Sequence, residues 1–270
     1  MQRVLITGAA GRIGRVLRSG LSVPDRILRL TDITAMAEAT EREEVHQGDG
    51  RNIEFMLEMM NGVDVAIHLA AYPEEAPWET IFPLNYELAY TFFESAKRVG
   101  VKKVIFASSV QAVGFHPLAK TIDDTARARP SGYYGVSKAA GEALASLYAD
   151  KYGLSVGCVR IASFEPRPTD MRMLSTWLSH EDGIHLFEQC VRAPEHHYYR
   201  VFGVSNNTRK RVDNSHVAWL GYEPKSNAED YLEDIQANGE ALGPLAGKTQ
   251  GGGACDVGFS GDIDQALSAD

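Results

Sequence analysis

The stretch RVLITGAAGRIGRVL, residues 3–17, combines a strand pattern and a helix pattern around a glycine-rich turn. Its first part is a short aliphatic run of the kind found in buried parallel strands, and its last part places apolar residues at helical spacing. Between them, Gly8, Gly11 and Gly14 form G-x-x-G-x-x-G. Glycines at such a turn let the backbone approach a pyrophosphate, and the start of the following helix offers free N–H groups. A glycine triplet between a strand and a helix therefore predicts dinucleotide binding.

The same alternation of strand and helix continues along the chain. Further strands are predicted at residues 26–32, 63–71, 102–109, 154–163 and 198–205, with a third strand just before Asp49, and helices at residues 52–62, 85–100 and 134–153. Apolar strands that alternate with helices form a parallel sheet covered on both faces. The expected fold class is α/β, a Rossmann doubly wound parallel sheet with a small C-terminal substrate lobe.

The pattern becomes less regular after about residue 163. We expect an NAD-binding core over residues 1–165, and a lobe over residues 166–270 that adds a late strand to the sheet. One helix is expected over MLSTWLSHEDGIHLFEQCV, residues 173–191. The last twenty or so residues, rich in glycine and aspartate, are expected to run along the surface as a tail.

Two aspartates follow predicted strands at the edge where the ligand of such a sheet binds. Asp32 ends the second strand, and an acidic side chain there binds both hydroxyls of the adenosine ribose and repels a 2′-phosphate. Asp32 therefore predicts NAD rather than NADP, although a solvated aspartate at a strand end is the alternative. Asp49 is a weaker candidate for a contact to the adenine.

Composition excludes several function classes. The chain has 270 residues, a formal net charge of −9, 44% hydrophobic and 23% charged residues, which indicates a globular protein. The acidic balance argues against nucleic-acid and membrane partners, because binding phosphates needs a basic face. The three cysteines form no C-x-x-C motif, and no apolar run is long enough for a signal peptide or a membrane span. We expect a cytoplasmic protein without a metal site.

The segment RPSGYYGVSK, residues 129–138, contains a candidate general base. Tyr134 and Lys138 are four residues apart and share one face of a helix, whereas Tyr133 has a serine at that spacing. A nearby ammonium stabilises phenolate and lowers the pKa of a tyrosine, as a general base requires. Ser108 and Ser109 end the preceding strand, and either hydroxyl is placed to reach the same site. A solvated helix face and serines that only cap a turn are the alternatives.

Taken together, TGAAGRIG, HLAA, ASS and YGVSK resemble the extended short-chain dehydrogenase/reductase superfamily. RMLSTWLSHED at residues 172–182, together with ARPSGYYGVSK, VRIAS and RVDNSH, is most similar to the uronate dehydrogenase family. This resemblance implies oxidation of the C1 hydroxyl of a hexuronic acid to its lactone with NAD⁺. It also implies a homo-oligomer, since relatives of this fold usually associate through helix faces.

The resemblance implies a role for individual residues. Tyr134 is expected to be the base, Lys138 to lower its pKa and hold the nicotinamide ribose, and Ser109 to bind the reacting hydroxyl. Asn85 is expected to support Lys138 through water, and Arg172 to hold the substrate carboxylate. The expected cofactor-binding residues are Gly8, Ala10, Gly11, Arg12, Ile13, Gly14, Asp32, Asp49, Leu69, Ala70, Ala71, Tyr134, Lys138 and Ile161. The expected substrate-binding residues are Pro73, Ser109, Val110, Gln111, Tyr134 and Arg172.

Two substrate contacts of the uronate dehydrogenase family differ in this chain. Val110 and Gln111 stand where the family has Asn-His after the catalytic serine, and Pro73 stands where it has a serine. We therefore expect the C1 oxidation of the family to be retained. The sequence does not decide which anionic sugar is the substrate. A 6-sulfonated hexose such as sulfoquinovose, or a 6-phosphorylated hexose, is the alternative to a uronate, because an arginine clamp fits all three anions.

Three other functions compete with the dehydrogenase. Dehydratases of this superfamily place an acidic pair beside the catalytic hydroxyl, which Val110 and Gln111 do not provide. Epimerases usually carry a larger C-terminal domain. A cofactor-sensing regulator without turnover usually lacks the tyrosine or the lysine, and both are present here.

Overall fold

The computed structural model describes residues 1–268, and its main feature is a parallel sheet. Seven strands lie in the order β3-β2-β1-β4-β5-β6-β9, and every pair of neighbours in this sheet is parallel. The strands are β1 (Gln2–Thr7), β2 (Arg26–Asp32), β3 (Glu43–Gln47), β4 (Val65–His68), β5 (Lys103–Ser109), β6 (Ser155–Ile161) and β9 (Tyr198–Gly203). Two short strands, β7 (Ser163–Phe164) and β8 (Trp177–Leu178), form a separate parallel pair.

Helices cover both faces of the sheet, as the alternating pattern predicts. They are α1 (Arg12–Gly20), α2 (Ile53–Met60), α3 (Trp78–Ile81), α4 (Glu87–Val99), α5 (Tyr133–Tyr152), α6 (Met173–Thr176), α7 (His180–Arg192), α8 (Leu232–Asn238) and α9 (Ile263–Ser268). Leu17 of α1 and Phe187 of α7 lie in the core on one face, and Met56 and Phe92 of α2 and α4 lie in the core on the other. From β1 the chain adds β2 and β3 on one side and then β4, β5 and β6 on the other, so the order reverses between β1 and β4. This confirms the doubly wound Rossmann fold.

The single helix expected over residues 173–191 is interrupted, and that part of the expectation is wrong. Helix α6 ends at Thr176, β8 follows, and α7 begins only at His180. The interruption has local causes. The indole Nε1 of Trp177 donates to the Glu165 carbonyl at 2.8 Å, and the Ser179 hydroxyl caps α7 by accepting from the Asp182 amide at 3.0 Å.

The first part of the C-terminal stretch is buried, whereas none of residues 256–268 is buried, as expected of a surface tail. Leu245, Thr249 and Gln250 are buried. The Gln250 amide donates to the His116 carbonyl at 3.0 Å, and the Gly251 amide donates to the Gly114 carbonyl at 2.9 Å. These bonds bring residues from the end of the sequence against the loop that follows β5, next to the carboxyl edge of the sheet. No helix within residues 1–268 is long and apolar enough to cross a membrane.

Candidate active site

The predicted glycine turn connects β1 and α1 and is tightly packed. Gly8 has φ +72°, which disfavours other residues, and a Cβ there would lie 2.6 Å from the Ala70 amide nitrogen. A Cβ on Gly14 would lie 2.6 Å from the α-carbon of Ala9. The turn and the start of α1 line a cavity of about 1030 Å³ at the carboxyl edge of the sheet. The glycine backbone of this turn thus lies at a cavity large enough to be a cofactor site.

Asp32 is held beside this turn by two hydrogen bonds. Its carboxylate accepts from the Ala10 amide at 2.9 Å and from the Thr34 amide at 2.8 Å. Asp49 also lines the cavity, but its carboxylate pairs with the Arg51 guanidinium at 2.6 Å, and this bond lowers the pKa of Asp49. Of the two aspartates, Asp32 has the arrangement expected of a ribose ligand, because its position is fixed relative to the turn.

Tyr134, Lys138 and Ser109 meet where β5 and α5 approach the middle of the cavity. Burial raises the pKa of Tyr134 to about 12, and a hydrogen bond with Ser109 opposes this rise. The Lys138 ammonium donates to the Ala107 carbonyl at 2.8 Å and lies 5.5 Å from the centre of the Tyr134 ring. Burial lowers the pKa of Lys138 to about 8. Burial thus outweighs the two interactions that lower the pKa of Tyr134, the hydrogen bond with Ser109 and the charge of Arg12.

The structure separates the two candidate serines. The Ser108 hydroxyl donates to Glu142 at 2.6 Å, and Glu142 also accepts two hydrogen bonds from the buried Arg160. Ser108 lines the cavity as well, but its hydroxyl is part of this buried ion-pair network. Ser109 is the serine that interacts with Tyr134.

Asn85 lies outside the cavity lining and makes direct contacts other than those expected. Its amide nitrogen donates to the Ser137 hydroxyl at 2.9 Å, and its amide oxygen accepts from the Tyr72 amide at 2.7 Å. Asn85 belongs to a π-helical turn, Phe82–Tyr86, a geometry often found at functional sites. It ties the loop after β4 to α5, one residue before Lys138.

Glu75 is a residue of this site that the sequence patterns did not reveal. Its two carboxylate oxygens accept from the backbone amides of Tyr133 and Tyr134, at 2.7 and 3.0 Å. A carboxylate at this position satisfies the free N–H groups of the first turn and opposes the positive end of the helix dipole. Its sequence distance from α5, almost sixty residues, hides this role from any local pattern.

Arg172 also lines the cavity, and its half-buried side chain is held by three hydrogen bonds. It donates to the Ser163 hydroxyl at 2.9 Å, to the Thr176 hydroxyl at 3.1 Å and to the Gln250 carbonyl at 3.2 Å. Burial lowers the pKa of Arg172, yet an arginine stays protonated at physiological pH. The Gln111 side-chain nitrogen donates to the Gly251 carbonyl at 2.9 Å, so this side chain binds the C-terminal stretch.

Except for Asn85, all the residues expected to bind cofactor or substrate line this one cavity. Ser163, with Ala254 and Val257 from the C-terminal stretch, also lines it and had not been expected. Within residues 1–268, no group of three or more histidine, cysteine or carboxylate side chains is arranged to hold a metal ion.

Comparison with known proteins agrees with this geometry. Residues 4–181 match the model of the NAD dependent epimerase/dehydratase family. The uronate dehydrogenase of Pseudomonas syringae pv. tomato is 40% identical over 87% of this chain and 86% of its own length. The NAD-dependent glucose-6-phosphate dehydrogenase of Haloferax volcanii is 35% identical over 89% of this chain and 99% of its own.

A solved uronate dehydrogenase from Agrobacterium tumefaciens, a variant complexed with NAD, is similar over almost the whole chain. It has a TM-score of 0.91 and 39% identity, and the match covers 95% of this chain and 97% of that one. The glycine turn, the Tyr134–Lys138 pair and this similarity lead to one assignment. The chain belongs to the NAD-dependent epimerase/dehydratase family and is an NAD-dependent oxidoreductase.

Proposed function

We propose that this enzyme oxidises the C1 hydroxyl of an anionic hexopyranose to the lactone, with a hexuronate as the first candidate. The observation that supports this most directly is the position of Arg172. The half-buried Arg172 side chain lines the same cavity as Tyr134 and Ser109. A sugar whose C1 lies at Tyr134 can then extend its anionic group toward Arg172.

The residues around the glycine turn fit NAD. Gly8, Gly11 and the start of α1 hold the pyrophosphate in this proposal, Asp32 the adenosine ribose and Lys138 the nicotinamide ribose. When bound, NAD⁺ supplies the acceptor for the hydride that leaves C1. The positive charge of a bound NAD⁺ would favour the phenolate of Tyr134, whose pKa burial raises to about 12.

In the proposed reaction, the Tyr134 phenolate takes the proton of the C1 hydroxyl. At the same time the hydrogen on C1 leaves as a hydride, together with both electrons of the C1–H bond. Ser109 donates a hydrogen bond to the substrate oxygen as it becomes a carbonyl. Lys138 keeps positive charge near Tyr134 and so favours the phenolate. The product is the lactone, because the ring oxygen remains attached to C1.

The charges around the cavity favour a substrate that carries one negative charge. Arg12, Arg15, Lys138 and Arg172 are the cationic residues that line the cavity, and Glu74, Glu75 and Glu165 line it too. In this proposal Arg12, Arg15 and Lys138 lie on the cofactor and Arg172 binds the substrate anion, so a phosphate dianion would bring a second charge near these carboxylates. A carboxylate or a sulfonate fits better, although the relative from Haloferax volcanii is named for glucose 6-phosphate.

The test is a screen for NADH formation at 340 nm with glucuronate, galacturonate, sulfoquinovose, glucose 6-phosphate and glucose. We expect activity with at least one of the singly charged sugar acids, and a loss of this activity in Arg172→Ala. Activity on glucose alone would refute the anionic substrate. Sugar conversion without net NADH would instead indicate an epimerase, and NAD binding without any turnover would indicate a regulator.

We also propose that the protein is cytoplasmic and that it forms a homo-oligomer. An aromatic cluster on α3, α5 and the π-helical turn supports the homo-oligomer. Trp78, Phe82 and Tyr133 are 43%, 42% and 50% exposed, and the Trp78 ring contacts the rings of both others. An exposed cluster of this kind marks a contact surface. Light scattering after size exclusion should give a multiple of the 29.6 kDa chain mass, and Trp78→Glu should reduce it to one chain.

A further inference from the structure

Gly252 contacts the side chain of Arg172 so closely that no larger residue fits. A Cβ on Gly252 would lie 2.6 Å from Cζ and 2.8 Å from Cδ of Arg172, distances that real side chains do not reach. Gly252 also has φ +62°, a conformation that residues with a Cβ rarely adopt. Two independent features therefore require glycine at this position: the positive φ and the close contact with Arg172, the proposed anion-binding residue.

The residues just before Gly252 constrain the same guanidinium. The Gln250 carbonyl accepts from one terminal nitrogen of Arg172, and the Ser163 hydroxyl accepts from the other. Among the residues described, three of the five N–H groups of this guanidinium have hydrogen-bond partners, and the other two are the Nε–H and one N–H of Nη2. A guanidinium fixed in this way presents a defined edge to an anion, and little side-chain entropy is lost on binding.

The stretch Thr249–Gly252 is itself rigidly attached. Thr249 and Gln250 are buried. The Gly251 amide donates to the Gly114 carbonyl, and the Gly251 carbonyl accepts from Gln111. The stretch thus connects Gln111, which replaces a substrate-binding residue of the resembled family, with Arg172.

We propose that Gly252 is a positioning residue for the substrate anion, because it sets the direction of the Arg172 guanidinium from the C-terminal stretch. This inference rests on the proposed function in one respect: the anion that Arg172 binds is taken to be part of the substrate. It adds that recognition of the sugar depends on Thr249–Gly252, a stretch far from every sequence motif of the site.

The chain offers two matched controls for the substitution Gly252→Ala. Gly258 has φ +67° and no atom within 4 Å of its virtual Cβ, so Gly258→Ala carries the same backbone strain without any contact to Arg172. Gly253 has open space around its virtual Cβ and no positive φ, so Gly253→Ala tests an added methyl group alone. All three variants are compared as full-length proteins whose folding is checked by thermal unfolding.

The first measurement is steady-state kinetics with the best sugar acid of the screen. In Gly252→Ala we expect KM for that sugar to rise at least tenfold, with kcat within threefold and KM for NAD⁺ unchanged. Gly258→Ala and Gly253→Ala should keep the wild-type KM. A Gly252→Ala enzyme with the KM of Gly258→Ala would overturn the proposal.

The second measurement needs no substrate. Phenylglyoxal modifies accessible arginines, and the rate at Arg172 can be followed by peptide mass spectrometry. We expect Arg172 to react at least five times faster in Gly252→Ala than in either control, while the buried Arg160 stays unreactive in all of them. Equal rates at Arg172 would overturn the positioning role even if the screen found no sugar acid, whereas faster modification without any active sugar acid would support Gly252 and refute the proposed function.

Discussion

The two parts of the cavity that the proposed function distinguishes are built from the sequence in different ways: the glycine turn, called the cofactor end, and the surroundings of Arg172, called the anion end. At the cofactor end, seven consecutive residues, Gly8–Gly14, form the turn, and Asp32 binds it from the next strand along the chain. At the anion end, Arg172 is held by Ser163, Thr176 and Gln250, and the last of these lies 78 residues further along the chain. The first end is made at the edge of a sheet, whereas the second is made by loops and a segment near the end of the sequence.

This difference separates chemistry from specificity. The sheet edge fixes Tyr134, Lys138 and Ser109 relative to the cofactor turn, since β5 and α5 are both part of the buried core. In the proposed function, contacts to the sugar come from Pro73, Gln111 and Arg172, which are on connecting segments or short elements. Substitutions at the anion end can therefore change the substrate while the proton and hydride transfer stay the same.

The largest expected effect is at the base. Tyr134→Phe should lower kcat by about 10²–10⁴-fold, which is the usual contribution of general acid–base catalysis. NAD binding, followed by fluorescence titration, should stay within twofold. Tyr133→Phe is the matched control, because its ring is exposed and it has no lysine four residues later. A Tyr134→Phe enzyme that keeps most of its rate would remove Tyr134 from the mechanism.

A smaller effect is expected at the anion end. Arg172→Lys keeps the charge but loses the planar donors, so KM for the sugar acid should rise about 10–100-fold, as for the loss of one or two charge-assisted hydrogen bonds. Because the cofactor end is separate, KM for NAD⁺ should not change. Arg167→Lys, at an exposed position five residues earlier, is the control. Parallel changes in the two KM values would contradict the separation of the two ends.

A third prediction concerns the stability of the cofactor end. His68 is buried between Phe92 and Phe106, and its Nδ1 lies 2.8 Å from the Thr7 hydroxyl. Burial lowers the pKa of His68 from 6.5 to about 3, so the unfolded state binds a proton below pH 6.5 and the folded state does not.

This contribution to stability is complete above pH 6.5 and is lost as the pH falls toward 3. The free energy of unfolding should thus fall by about 2 kcal/mol between pH 7 and pH 5 from this residue alone. Urea denaturation at the two pH values measures it. In His68→Gln, which has no titrating ring, the drop should be smaller by this amount; an equal drop would assign the acid sensitivity to other groups.

The smallest expected effect is at Asp32. Asp32→Asn retains an acceptor for the Ala10 or Thr34 amide but loses the charge that repels a 2′-phosphate. We expect Kd for NAD⁺ to rise about tenfold, the equivalent of about 1.4 kcal/mol, and the preference over NADP⁺ to shrink. Asp49→Asn should have less effect, because the Asp49 carboxylate pairs with Arg51. Equal effects of the two substitutions would mean that Asp32 does not select the cofactor.

The sequence predicted the local structure around the glycine turn and the helix that carries Tyr134, because these signals are local. The strand, the glycine turn and α1 occupy adjacent residues, and Tyr134 and Lys138 share one helix face. Ser109 and Ser108 could not be told apart from their positions, because the distinction depends on Glu142 and Arg160. Glu75 and Gln250 were missed for the same reason, since their partners lie far away along the chain.

The C-terminal stretch shows most clearly where composition misleads. Its many glycines and aspartates suggested a tail that runs along the surface, and this holds for residues 256–268, but the glycines at 251 and 252 permit close packing against Gln111 and Arg172. Similarly, the helical spacing of residues 173–191 did not reveal that β8 interrupts it. Trp177 bonds to a carbonyl on a separate segment, so this interruption is a tertiary effect.

The carboxylate of Glu75 matters for anyone who wants to redesign this enzyme for another sugar. The loop that carries Pro73 is the obvious place to randomise, yet two residues later the same loop caps the first turn of the helix that presents Tyr134. Libraries that vary residues 72–76 freely should yield many clones that bind a new sugar but turn it over slowly. Keeping Glu75 constant separates the two properties, and the loop can then be diversified on its substrate side alone.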